Sequence, residues 1–579
     1  MSVSLRAANM NVKKHTLFLN VCKVPDWTQV RVSDPIASVR RKMHLSLIFL
    51  EFLSEMDLEV LGLPSKISAE RAVLRVLSEE SSRECPMRIA FDPQRRFDCP
   101  PVLEVRLNTS CRDEIIPILK GLQHIYSQPE LRDELLDAVA QDVNGTSSAD
   151  LGRPGMTYWS ILVLGAVRLG CNFDYDRLQN LAEEHRSLRQ VMGIGGWCDD
   201  QTFDWRCLRD NICLLSPDTI ERVNHLIVAE GHRLVPEAAE TVRGDSFVPA
   251  TNIHYPTDSS LIGDGLRTIV PLAVRLARLL GLGGWRQRKH LLRTVKKQLR
   301  AINKIAKGKG RDFPKRLQDG YRTLLDLADR ILARALELLD PALISIAPSA
   351  AASRINMLKE KLTDYLNMTI HVCDLARRRV LEGERIDNSE KLFSLFEPHT
   401  ELIIRGKVPQ PLEFGHRVLV IEDGAGFVCH YAILPRGAED SEVLVEEMKQ
   451  AQQRLNGRIR RASFDRGFHS PENQRELVKL VEQPCLPKPG HVQAQRQEQE
   501  ATVEFRQARR RHPGIESAIG ALQSGNGLDR CRDKNFGGYC RYVGLGILGR
   551  NLQVLGKLLI AREEPKCEAG QSRRGRTAA

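Results

Sequence analysis

What this chain lacks narrows its possible roles. None of its fourteen cysteines form the C-x-x-C pairs that mark zinc or redox sites. The N-terminus has no continuous apolar segment ahead of a small-residue cleavage site, so export and an oxidising compartment are not expected, and the thiols should be reduced and mostly structural. Long apolar runs free of charge are also missing. The stretches 45–63 and 269–282 come nearest, but Glu51, Glu55, Asp57, Arg275 and Arg278 interrupt them at a cost lipid would not tolerate. A cytoplasmic protein with no membrane partner is therefore the expectation. Acids, finally, are almost absent from 286–316, where thirteen Lys or Arg face the single Asp312. That segment carries as much positive excess as the whole chain, whose net charge is +12.

What is present is globular. With 42% hydrophobic and 27% charged residues, the composition can support a folded core, and 579 residues exceed what one core usually organises, so several domains are expected. Residues 1–110 show no pattern that assigns a role. Helical periodicity begins in RDEIIPILKGLQHIYS and continues in PELRDELLDAVAQDV, where Pro129 suits a first turn and Glu130 and Asp133 suit the positive helix end. MTYWSILVLGAVRLG, a turn at Gly170-Cys171-Asn172, and DYDRLQNLAEEHRSLRQVMG read either as a helix-turn-helix or as two core helices. Further helices are predicted near 199–213 and 217–231.

The period then changes. TVRGDSFV predicts an extended segment, with Pro249 placing it at an edge, bulge or strand end. Helices return until about Gly383, broken at 308–314 and at the Ala/Ser/Pro linker 346–353. From Lys391 strand signals follow: KLFSLF, then HRVLVIED and FVCHYAIL joined by a Gly-bearing loop that predicts a hairpin. The helix SEVLVEEMKQAQQRLN precedes a strand in RIRRASF. Strand, hairpin, helix, strand is the order of an α/β ribonuclease H-like core, here with a large helical insertion after its first strand.

Three carboxylates stand out. Asp465 follows RIRRASF, at the end of a strand where α/β sheets present ligands, or else simply opens a D-R-G turn. Glu516 flanks the apolar stripe Ile515, Ile519 and Leu522 of a predicted helix, where an isolated Glu is more often just solvated. Asp245, in VRGDSFV, offers a third acid, with Asp258, Asp264 and Asp440 as positional competitors. Phosphodiester cleavage gives such a trio a purpose: two divalent ions about 4 Å apart activate the attacking oxygen and stabilise the leaving one. Mg²⁺ prefers hard oxygen ligands and keeps several waters, so a few carboxylates suffice.

The basic stretch has a one-sided pattern. Arg286, Lys289, Arg293, Lys296, Lys297, Arg300, Lys304 and Lys307 recur at spacings of three and four, opposite Leu291, Leu292, Val295, Leu299, Ile302 and Ile305. The apolar side can dock on protein while the cations meet DNA phosphates; a solvated face and a membrane-surface helix are the other readings.

Taken in order, CRDEIIPILKGLQHIYS, GRPGMTYWSILVLGAVRLGCNFDYDRLQNLAEEH, RGDSFVPATNIHYPTDSSLIGDGLR, KLFSLFEPHTELIIRGK, PLEFGH, DRGFHSPEN and GIESAIGALQSGNGLDRC resemble the bacterial insertion-sequence transposases of the ISNCY group over 111–559. The resemblance implies a DDE transposase with a ribonuclease H-like catalytic domain. Its carboxylates fall on Asp245, Asp465 and Glu516, binding two Mg²⁺ ions, for which Mn²⁺ can substitute. Lys289, Arg293, Lys296, Lys297, Arg300, Lys304, Lys307 and Arg466 are the expected DNA contacts. Implied partners are double-stranded DNA, both element ends and target, and further copies of the chain, in a nucleoid-associated setting. Asp245 and Asp465 are 220 residues apart, which demands the helical insertion. One departure is Pro249-Ala250, where the family pattern has an apolar-acidic pair before Thr251-Asn252. The expected organisation is 1–110 of unassigned role, 111–240 helical, 241–266 the first part of the core, 267–389 the insertion, 390–561 the rest of the core, and a disordered tail over 562–579. A nuclease of the same fold that does not join strands, and an inactive DNA-binding descendant, are the alternatives.

Overall fold

Helix starts follow the capping chemistry of the sequence. The computed structural model describes residues 89, 97–145, 155–196, 200–308, 312–341, 352–404, 411–490 and 494–563. Nearly all of the expected N-terminal region, most of the linker 346–353 and the tail from 564 lie outside the described residues. The first helices are α1 (Ile115–Tyr126), α2 (Pro129–Asn144), α3 (Tyr158–Gly170), α4 (Tyr175–Glu184), α5 (Arg186–Val191), α6 (Trp205–Ile212) and α7 (Pro217–Leu234). Pro129 and Pro217 occupy first turns, where the missing N–H costs nothing. Side chains of Thr157, Asp174 and Ser216 accept from backbone N–H groups of α3, α4 and α7. Two helices replace the single one expected over DYDRLQNLAEEHRSLRQVMG, because the His185 ring accepts from the Leu188 N–H and restarts the chain as α5. Every residue of α3 is buried, so it is a core helix, while α4 buries only Leu178 and Ala182.

The sheet then assembles around β1 (Thr241–Phe247). A small antiparallel pair, β2 (Glu401–Ile404) and β3 (Leu412–Gly415), precedes β4 (Val418–Glu422), β5 (Val428–Ile433), β6 (Arg461–Ser463) and β7 (Gln483–Cys485). Strand order in the five-stranded sheet is β5-β4-β1-β6-β7. β1 pairs antiparallel with β4 and parallel with β6, and β6 runs parallel to β7. Pro249 therefore marks the end of a central strand, two residues beyond its last ladder position. β4 is buried along its full length, as a strand covered on both faces must be. The predicted hairpin is β4–β5, closed by Asp423, whose Oδ1 accepts from the N–H groups of Ala425, Gly426 and Phe427.

KLFSLF does not form a strand. Its apolar residues serve packing instead: Leu395 joins the core of the helical insertion, and the Phe393 ring lies 5.7 Å from that of Phe414 on β3. Sheet pairing in this region falls to β2 and β3, which the sequence reading did not anticipate.

The insertion comprises α8 (Asp258–Leu279), α9 (Arg288–Ala306), α10 (Phe313–Leu336) and α11 (Ala352–Ala376). These helices bury their own apolar cluster, including Ile262, Leu266, Leu324, Leu362 and Leu366. Gly265 permits the close crossing of α8 and α11, since a Cβ there would lie 2.1 Å from the Thr369 hydroxyl. A second cluster joins α1–α7 to the sheet, so the helices of 111–240 share a core with β1 and β4 rather than forming one of their own. After β5 come α12 (Asp440–Arg454), α13 (Pro471–Leu480), α14 (Ala494–Glu500), α15 (Val503–Arg511), α16 (Gly514–Ser524) and α17 (Asn535–Glu563). By length and composition α17 could cross a membrane, but 78% of its most apolar window is buried inside the fold, against α1, α3 and α7.

Candidate functional site

Strand register brings the first two carboxylates to one end of the sheet. Thr241, Val242 and Arg243 of β1 face Arg461, Ala462 and Ser463 of β6 in a parallel ladder. Two residues further along both chains stand Asp245 and Asp465. Alternation puts Asp245 on the same face as Arg243, and Asp465 on the same face as Ser463. Asp245 is half-buried and accepts from the Ser246 N–H at 2.7 Å. Asp465 is exposed; its Oδ1 accepts from the Gly467 N–H at 2.8 Å and caps the short turn of 3₁₀ helix over Arg466–Phe468. Both D-R-G readings thus hold together: the residue opens a turn, and the turn sits at a strand end.

Glu516 reaches this face through a helix. Ile515, Ala518, Ile519 and Leu522 form the buried stripe of α16, and Glu516 lies exposed in its first turn. α16 packs against β1. The junction of α15 and α16 covers the face that carries Arg243: the Arg243 Nη1 donates to the Arg511 carbonyl at 3.1 Å. His512 stands at that junction. Burial lowers its tendency to protonate, while the negative charges of Asp465 and Glu516 and the Ser463 carbonyl oppose the effect, so the imidazole lies within electrostatic reach of both acids.

Asp245 and Asp465 consequently share one face and one end of the sheet, and Glu516 stands on a helix that packs against β1. They do not close on a point: among the described residues no three His, Cys, Asp or Glu side chains are grouped as a metal cage. In donor chemistry they suit Mg²⁺, offering oxygen only. Asp465 and Glu516, moreover, form no ion pair with any cation among the described residues, unlike the competing acids. Asp258 is 2.6 Å from Arg379, Asp264 is 2.6 Å from both His254 and Arg267, and Asp440 is 3.5 Å from Arg417. Burial pushes the Asp258 carboxyl up, with Arg379 opposing.

Beside the carboxylates lies a group the sequence reading missed. Glu422, opposite Arg243 across β1 and β4, is buried and accepts from Arg243 Nε at 2.7 Å, with Arg550 3.7 Å away. Burial raises its pKa while the two arginines lower it, and burial prevails. Arg243 could have been found by period two from Asp245; Glu422 needs the strand register, which no local pattern supplies. A cleft of about 830 Å³ opens next to this pair, lined in part by Arg243, Arg461, Ser463 and Arg511, and none of the three candidate carboxylates lines it.

The basic stretch forms the expected amphipathic helix, although Arg286 precedes it. α9 buries Val295 and Ile302, half-buries Leu291, Leu292, Leu299 and Ile305, and seats Leu299 against Gly263 of α8. Lys289, Arg293, Lys296, Lys297, Arg300 and Lys304 of α9, with Lys307 just beyond it, are all exposed, and none pairs with an acid among the described residues. Arg466 is likewise exposed and unpaired. Comparison with protein-family models, with curated proteins and with solved structures finds no match.

Proposed function

We propose that this chain is a DDE-type DNA transposase with a ribonuclease H-like core, and that Asp245, Asp465 and Glu516 are its catalytic and metal-binding carboxylates. The observation that carries the reading is the placement of two acids at the same end of adjacent parallel strands, with the third on a helix packed over the same face. A central first strand, flanked by an antiparallel hairpin on one side and parallel strands on the other, supports the ribonuclease H-like assignment.

A pair of Mg²⁺ ions, when bound, would supply the Lewis acidity that phosphodiester hydrolysis and transesterification need. The protein's own residues do the rest. Asp465 and Glu516 form no ion pair among the described residues, which leaves their charge available to a metal. Arg466, next to Asp465, is placed for a phosphate close to the reacting bond. α9 offers Lys289, Arg293, Lys296, Lys297, Arg300 and Lys304, with Lys307 just beyond it, exposed on the side away from its docked apolar stripe and paired with no acid among the described residues, which suits a duplex backbone. Double-stranded DNA is the proposed partner, with a homo-oligomer as the working assembly.

The test is to incubate the purified chain with labelled DNA from the flanks of its gene and a supercoiled plasmid in Mg²⁺ or Mn²⁺. Joined products are the expected result. Cleavage without joining would instead support a nuclease. One observation favours a second reading: since the carboxylates do not form a closed cage, a DNA-binding protein without activity remains the competing account. It predicts a gel shift with intact DNA, unchanged by Asp465→Asn.

A further inference from the structure

Arg243 touches three elements of the candidate site at once. It lies on β1 two residues before Asp245 and on the same face. Nε donates to Oε2 of Glu422 at 2.7 Å, and Nη2 lies 2.5 Å from the same oxygen. Its remaining arm, Nη1, donates to the carbonyl of Arg511, the last residue of α15. Gly514, the first residue of α16, packs so closely on the guanidinium that a Cβ there would lie 2.0 Å from Nη1. Glu516 follows two residues later, in the first turn of that helix.

We infer that Arg243 is the positioning residue of the carboxylate site: anchored by buried Glu422, it clamps the α15–α16 junction onto β1 and so sets Glu516 relative to Asp245. The inference rests on the metal-binding reading of those carboxylates. Only arginine can do this, because one arm must stay on Glu422 while another reaches the Arg511 carbonyl; a lysine ammonium can satisfy one partner but presents no rigid fork to span both. Gly514 leaves room for the guanidinium, so a side chain there would force Arg243 or the helix start to shift.

Arg243→Lys keeps a positive charge beside Glu422, so the buried carboxylate is not left alone, and DNA binding through α9 is untouched. Supporting groups around metal ligands typically change metal affinity about 10–100-fold when removed. The experiment is a Mn²⁺ titration of the full chain, followed by electron paramagnetic resonance, for wild type, Arg243→Lys, Gly514→Ala and Asp465→Asn, with melting temperature and DNA affinity measured alongside. Wild type should show a Mn²⁺ site that Asp465→Asn abolishes. Arg243→Lys and Gly514→Ala should weaken that site about tenfold or more, while Arg243→Lys melts and binds DNA as wild type does. Mn²⁺ affinity equal to wild type in Arg243→Lys, with the site still lost in Asp465→Asn, would overturn the clamp alone. Equal Mn²⁺ binding in wild type and Asp465→Asn would overturn the carboxylate reading and the clamp with it.

Discussion

Around the sheet, charged groups are matched: Glu422 lies between Arg243 and Arg550, Asp423 accepts from His232 at 2.6 Å, and Glu447 is 2.7 Å from His430. On the insertion, the cations of α9, and Lys307 just beyond it, are exposed and form no ion pair among the described residues. Matched buried charges fix geometry, because a lone charge removed from water is costly and each partner must stay in place. Unmatched exposed cations fix nothing within the fold; they lower the free energy only when a polyanion arrives and its counterions are released. Asp465 and Glu516, by contrast, are exposed and form no ion pair among the described residues. If the proposed function holds, rigid placement for chemistry and diffuse attraction for binding are met by different parts of one chain.

The largest expected effect comes from breaking the unpaired acids. Asp465→Asn should reduce strand joining by more than the roughly 100-fold that supporting groups cost, with DNA affinity unchanged. Labelled end DNA and a plasmid target, resolved on a gel, would show it. If joining survives, the contrast between paired structural acids and unpaired functional ones loses its meaning.

Removing cations from α9 sharpens the other side. Replacing Lys296, Lys297, Arg300 and Lys304 with Ala should cut the slope of log affinity against log salt by about 3–4, near 0.9 for each lost phosphate contact. Fold stability should stay close to that of wild type, because these side chains are exposed. Fluorescence anisotropy across a salt series measures the slope; a slope equal to wild type would assign α9 to plain solvation.

Stability mutants probe the two cores. Leu366→Ala, at a fully buried site in the insertion, should cost about 2–5 kcal/mol in chemical denaturation. Smaller still, Asp174→Ala removes the cap of α4, whose Oδ1 accepts from the Arg177 N–H at 2.9 Å, and should cost about 1 kcal/mol. Reversed magnitudes would mean that the insertion core contributes little to the fold.

Much of this was legible before any coordinates. Pro129 and Pro217 announced helix starts because their chemistry acts locally, and the apolar positions of α9 and α16 announced their buried faces by period alone. Hairpin β4–β5 was written in its Gly-bearing loop. Illegible parts depended on distant partners. KLFSLF has the composition of a strand, yet Phe393 and Leu395 found better burial against Phe414 and the insertion core. His185 divides what reads as one helix, because its ring competes for a backbone N–H. For the candidate site, local context marked Asp465 as a strand-end acid but left Glu516 looking like a solvated helix residue, singled out only by the resemblance; the neighbourhood of Arg243 and Glu422 exists only through the register of β1 against β4.

The central claim is that Asp245, Asp465 and Glu516 jointly hold divalent cations. Crystals of the chain soaked in Mn²⁺ and recorded at the manganese absorption edge test it most directly. The account predicts anomalous density between Asp245 and Asp465, with Glu516 turned toward it. Manganese bound elsewhere, with those three side chains left bare, would contradict it.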